Sequence, residues 1–140
     1  MAERTKEYLF GILAWIIIDT ICVIVNFNLF LSGDSFGTPP WINLTVSVLF
    51  VIYMAFYAFH TTIKIAFSLG GIYVVLGIIG YIVGKYSLIA DWILVPALFF
   101  GTPFAGLSYL IRSDLFCWLF VIGVGALLLT AAAFRYRKDN

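Results

Sequence analysis

The chain of 140 residues is 64% hydrophobic and 11% charged, with a mean hydropathy of +1.10. Soluble domains carry about 25% charged residues, so too little polar surface is left here to cover a globule in water, and lipid becomes the solvent for much of the chain. Eight Lys and Arg against seven Asp and Glu give a net charge of +1, which excludes a basic arm or acidic tail and with it a nucleic-acid partner.

A helix needs about 20 predominantly apolar residues to cross roughly 30 Å of hydrocarbon. Five stretches satisfy this, at 8–31, 41–59, 65–84, 92–111 and 115–134. The expected fold is therefore all-α: a single domain, a polytopic membrane bundle of five transmembrane helices, with four plus a re-entrant segment at 92–111 as the alternative. The opening MAERTKEY mixes two acids with its bases. The apolar run behind it is too long for the h-region of a signal peptide and lacks a small-x-small cleavage site, so it is expected to be a permanent first span. Ala at position 2 and the ending Lys138-Asp139-Asn140 carry no lipidation signal.

In the first span, Asp19 stands mid-helix, where an ionised carboxylate costs about 2.5–3.5 kcal/mol on insertion scales. It is expected to face the bundle interior, to find a partner or to hold a proton. Trp15, Asp19, Cys22 and Asn26 recur at i, i+4, i+7 and i+11 and share one helical face. The functional reading is a polar track for an ion, a proton or a small solute; the structural one is a single hydrogen bond to a neighbouring helix.

The loop Gly37-Thr38-Pro39-Pro40 leads into the second span. There Tyr53, Tyr57, His60 and Lys64 follow the same spacing, provided the helix runs on to Lys64. Tyr57 and His60 join Asp19 and Asn26 as candidate track residues, because His titrates near neutrality. Against that stands the plainer expectation that His60 and Lys64 mark the membrane boundary. Asn43-Leu44-Thr45 matches a glycosylation sequon but lies at the mouth of a span, out of reach.

The third span places Gly70, Tyr73, Gly77, Gly80 and Gly84 on one face, a seam that lets membrane helices approach closely. The seam serves either the bundle or a contact between subunits. The fourth stretch, WILVPALFFGTPFAGLSYLI, is apolar yet carries Pro96, Gly101, Pro103 and Gly106. Pro96 suits a helix start, whereas Pro103 breaks the interior and is the expected kink.

Charge bears on the count of spans. Five spans divide the basic residues four against four. Four spans put Arg4, Lys6, Lys64, Arg135, Arg137 and Lys138 on one side and Lys85 with Arg112 on the other, the asymmetry that orientation rules favour. Length and apolarity favour the full span.

His60 is the only histidine, which excludes bis-histidine haem and a histidine metal cluster within one chain. Cys22 and Cys117 form no C-x-x-C pair, and their unequal depths argue against a disulfide, which needs Cα atoms within about 7 Å. No Walker loop, G-x-S-x-G or H-E-x-x-H occurs, and no pair of acids is placed to hold a magnesium diphosphate, so neither a metal nor a cofactor is expected and catalysis ranks last. Pro39-Pro40-Trp41 and the late WILVPALFFGTPFAGLS loosely resemble the tryptophan-rich sensory, translocator-type membrane proteins. That family has tryptophan before the prolines and the Pro/Phe-Ala stretch in its last span, so no residue role carries over. Two functions follow: a transport or channel-like component, or an accessory, immunity or assembly protein acting through helix–helix contacts. The partners are the lipid bilayer and either a second copy or another membrane protein, in a membrane that short loops suggest is a prokaryotic cytoplasmic one.

Overall fold

The computed structural model describes residues 2–33, 37–86 and 91–139. They form helix α1 (Ala2–Ser32), α2 (Pro40–His60), α3 (Ile63–Lys85), α4 (Asp91–Gly101), a 3₁₀ segment (Thr102–Leu107), a single turn α5 (Ser108–Ile111) and α6 (Asp114–Asp139). Four helices, Thr5–Ser32, Pro40–His60, Ile63–Lys85 and Leu115–Lys138, are long and apolar enough to cross a membrane. The fold is thus a helical membrane bundle of four long helices and one shorter, broken one.

The helix ends follow local chemistry. Gly33 takes φ +71° and its N–H closes on the Leu29 carbonyl at 2.9 Å, the left-handed stop that glycine adopts without a Cβ clash. Pro40 occupies the first turn of α2, where a missing N–H leaves no gap. Thr62 caps α3 by accepting from the Ile65 N–H at 3.4 Å. Because α2 stops at His60 and α3 starts at Ile63, Lys64 belongs to α3, and the face expected to run unbroken from Tyr53 to Lys64 is divided by a two-residue turn.

Helix α3 packs antiparallel on α6 through the glycine seam. A methyl placed at Gly70 would sit 2.9 Å from the Gly125 carbonyl oxygen, one at Gly77 2.6 Å from Ile122, one at Gly80 2.5 Å from the Trp118 ring, and one at Gly84 3.1 Å from Leu115. The two backbones are therefore as close as glycine alone permits, and dispersion contact rather than the hydrophobic effect holds them in lipid. The seam is internal to the bundle.

That pairing also fixes the path of residues 91–111. Lys85 ends α3 beside the start of α6, so both flanks of the broken segment lie at one end of the bundle. The six Cα steps from Lys85 to Asp91 can cover at most about 21 Å, short of the roughly 30 Å hydrocarbon thickness. The segment enters from this far end and descends until Phe100 meets Tyr73 at 4.9 Å and Trp15 at 5.6 Å between ring centroids. It then climbs back past Phe104, which meets Phe50 at 5.3 Å, to Gly106 beside Asn43 in the first turn of α2. Arg112, at φ 56° and ψ 33°, turns the chain into α6. The structure therefore takes the re-entrant count over five full spans. A backbone break inside lipid is tolerated only where protein shields it, and Thr102 to Leu107 are all buried.

The opposite end carries the start of α1, the α2–α3 turn and the end of α6. It is tied together by the Tyr57 hydroxyl donating to the Gly11 carbonyl at 2.8 Å and by the Arg135 guanidinium donating to the Thr61 carbonyl. Both chain termini are consequently expected on the same side of the membrane. Reporter fusions that act on only one side, attached separately to each terminus, should give the same answer; opposite answers would rule out the re-entrant path.

Candidate functional site

The inner face of α1 builds the site. Trp15, Asp19, Cys22 and Asn26 are all buried, as their shared register demands. Trp15 Nε1–H donates to the Tyr73 hydroxyl at 3.2 Å, and its ring meets Tyr73 edge-on. Asp19, at 0% exposure, lies within electrostatic reach of Tyr73 and Cys22. Neither of its carboxylate oxygens has a hydrogen-bond partner. Buried polar atoms are almost always bonded, so an acid left unpartnered in a packed core stands against a cost of several kcal/mol.

Two turns along α1, Asn26 organises a second cluster. Its Nδ2 donates to Ser47 Oγ at 3.0 Å and to the Pro103 carbonyl at 3.3 Å. Its Oδ1 accepts from Asn43 Nδ2 at 2.9 Å, and the same Asn43 amide donates to the Val25 carbonyl at 3.1 Å. Ser47 Oγ also accepts the Gly106 N–H at 3.0 Å. Asn26 from α1 and Ser47 from α2 thereby satisfy backbone groups of the 3₁₀ segment, with Asn43 bracing Asn26, the role that protein must take where water is absent.

Pro103 explains why the segment breaks there. Its ring and missing N–H prevent α-helical continuation, so the chain tightens into 3₁₀ from Thr102 onward. Pro96, by contrast, lies inside α4 rather than at its first turn. The hydroxyl of fully buried Thr102 has no hydrogen-bond partner, and neither do Asn43 Oδ1 and the Tyr53 hydroxyl. A cavity of about 190 Å³ lies beside the segment, between Phe30 of α1, Gly101 and Ala105, and Trp118 with Val121 of α6.

The residues expected from sequence separate clearly. Asp19 and Asn26 are brought together on one buried face. Tyr57 is buried but its hydroxyl is committed to Gly11. His60 is exposed, stacked on Phe56 at 3.8 Å with Nδ1 at 2.8 Å from the Phe56 carbonyl, and so sits at the bundle's edge, away from Asp19. Gly70, Gly77, Gly80 and Gly84 of α3 pack against α6, outside the site. Asn43, Ser47, Thr102 and Gly106 are the site residues that sequence reasoning missed. Asn43 drew notice only as a sequon, yet it is wholly buried and no glycosylation acceptor in the folded chain. The signal for two of them was present: Asn43, Ser47, Phe50, Met54 and Tyr57 share one buried face of α2, and polar residues at its start imply a polar partner.

No disulfide joins Cys22 and Cys117. Among the described residues no three His, Cys, Asp or Glu side chains gather into a metal site. No family model matches the chain, and neither does any curated protein or solved structure.

Proposed function

We propose that the protein is a small transport or channel-like component of a membrane, carrying a proton, a small cation or a small polar solute along the inner face of α1. The observation that carries this reading is Asp19: an acid at 0% exposure whose two oxygens have no partner, on the same face as a broken segment held by Asn26. Intramembrane acids mark ion and proton pathways, and discontinuous membrane segments supply the helix ends and free carbonyls of transport sites.

The cavity beside Gly101 and the unpartnered oxygens of Thr102 and Asn43 support the same reading, since they add space and free polar groups next to the broken segment. Six basic residues at the terminus-bearing end against two at the far end favour termini on the cytoplasmic side, and the proposed setting is a prokaryotic cytoplasmic membrane. The rival reading, an accessory protein docking through its glycine seam, needs another surface, because α6 covers Gly70, Gly77 and Gly80.

The test is flux into proteoliposomes, followed with a pH-sensitive dye and with sodium and potassium indicators. Asp19→Asn keeps the shape of the side chain and removes its charge and its titratable proton. Flux is expected to fall at least tenfold while oligomeric state and thermal stability in detergent stay unchanged. Flux that survives the substitution, or that falls only in step with stability, would make Asp19 a structural residue.

A further inference from the structure

On the outer side of the bundle, away from Asp19, α2, α5 and α6 enclose an apolar groove of about 720 Å³. Val51, Ile111, Phe116, Phe120, Gly123 and Leu127 are among its lining residues. On α6, Phe116, Phe120, Gly123 and Leu127 follow i, i+4, i+7 and i+11 and so form one strip. Gly123 is unlike the seam glycines: a methyl there would meet nothing within 4 Å. The chain's own packing does not require a glycine at this point, and its absent side chain deepens the groove.

Two features identify the occupant. The first is depth. Phe116 lies two residues into α6 at the far end, and Leu127 is eleven residues further, about 16 Å along a helix. That is close to half of the roughly 30 Å hydrocarbon thickness, so the groove spans one leaflet, as an acyl chain does, whereas a helix of a partner would run the full depth. The second is charge. Arg112 directly follows the lining residue Ile111, is exposed, and is set in the left-handed turn between that residue and α6. It is one of two basic residues at the far end. We infer that this groove binds one acyl chain of a far-leaflet phospholipid, with the lipid phosphate on Arg112.

The full chain, purified in mild detergent and titrated with palmitoyl-oleoyl phosphatidylglycerol, is examined by native mass spectrometry. One phospholipid per chain is expected to survive washing. Gly123→Trp, whose Cβ would meet nothing within 4 Å, fills the groove and should lower that retention at least tenfold, with the melting temperature unchanged. Gly123→Leu fills less and should lower it several-fold, which keeps the test decisive if the indole disturbs folding. Arg112→Asn retains a residue that tolerates the left-handed conformation and should weaken retention by threefold or more. Chain-free glycerophosphoglycerol should not bind. Wild-type protein without retained lipid, or a Gly123→Trp variant that keeps it, overturns the inference. So does a wild-type dimer that Gly123→Trp splits, which would assign the groove to a second copy.

Discussion

Gly106→Ala is expected to prevent accumulation of the folded protein, or to lower its melting temperature in detergent by on the order of 10 °C. A methyl at this position would lie 2.0 Å from the Asn43 carbonyl oxygen and 2.7 Å from Ser47 Oγ. The first of these is backbone in the opening turn of α2, so no rotamer change can relieve the clash. The 3₁₀ segment would have to withdraw, and withdrawal breaks the 3.0 Å bond from the Gly106 N–H to Ser47. Overpacking alone costs about 1–3 kcal/mol, and an unsatisfied backbone donor in a dry interior adds about 1–3 more. At roughly 2–4 °C per kcal/mol for a chain near this size, the sum reaches the stated fall. Gly71→Ala is the matched control. A methyl there meets nothing within 4 Å, and its melting temperature should stay within a few degrees of wild type. Equal effects from the two substitutions would remove the close approach of the segment to α2 from the account.

The need for glycine at 106 could not be read from the chain, and the reason is physical. Periodicity reports which residues share a face: Trp15, Asp19, Cys22 and Asn26 of α1 are buried together, and the α3 glycines face α6. Both are regular helices, where register alone sets direction. It fails where the backbone leaves the helix. The Tyr53–Lys64 pattern assumed a continuous helix, and the turn at Thr61-Thr62 put His60 on the surface and Lys64 on the next element. The broken segment has no period to read: the six residues from Thr102 to Leu107 are buried on every side, and their neighbours on α1 and α2 are distant in sequence. What remained visible was indirect. The charge asymmetry of six against two pointed to a re-entrant path, while the length of the apolar run pointed the other way, because length cannot distinguish one crossing from a descent and a return. The α1 and α2 boundaries were shorter in the sequence reading, 8–31 and 41–59 against Ala2–Ser32 and Pro40–His60, since polar residues continue a helix beyond the hydrocarbon.

Asn26→Leu is expected to release the broken segment while leaving the α3–α6 pair intact. Leucine is close to asparagine in branching and fills the site, so the loss is chiefly of hydrogen bonds. Three bonds go together: from Asn26 to Ser47 Oγ, from Asn26 to the Pro103 carbonyl, and from Asn43 to Asn26 Oδ1. The groups left behind are not equal. The Asn43 amide keeps the Val25 carbonyl and Ser47 Oγ keeps the Gly106 N–H, whereas the Pro103 carbonyl loses the one side-chain donor aimed at it. Each newly unpaired buried group costs about 1–3 kcal/mol, and members of one network do not add, so a total of about 3–5 kcal/mol is expected. Where that energy is lost decides the point. Hydrogen exchange of the amides at 102 and 104–107 should rise at least tenfold, because Asn26 holds the Pro103 carbonyl and positions Ser47, which accepts the Gly106 N–H. Amides of α3 and α6 at the glycine seam should be unchanged, because backbone contact through Gly70, Gly77 and Gly125 does not involve the network. Ser47→Ala should accelerate the same amides, and the Asn26→Leu/Ser47→Ala double variant should show less than the summed effect, since both substitutions break the same 3.0 Å bond. Uniform loosening of all helices would mean that Asn26 supports the bundle as a whole. Unchanged exchange at 102–107 would mean that the re-entrant path is held by the aromatic contacts of Phe100 and Phe104 alone, and Asn26 would then be available to whatever passes Asp19.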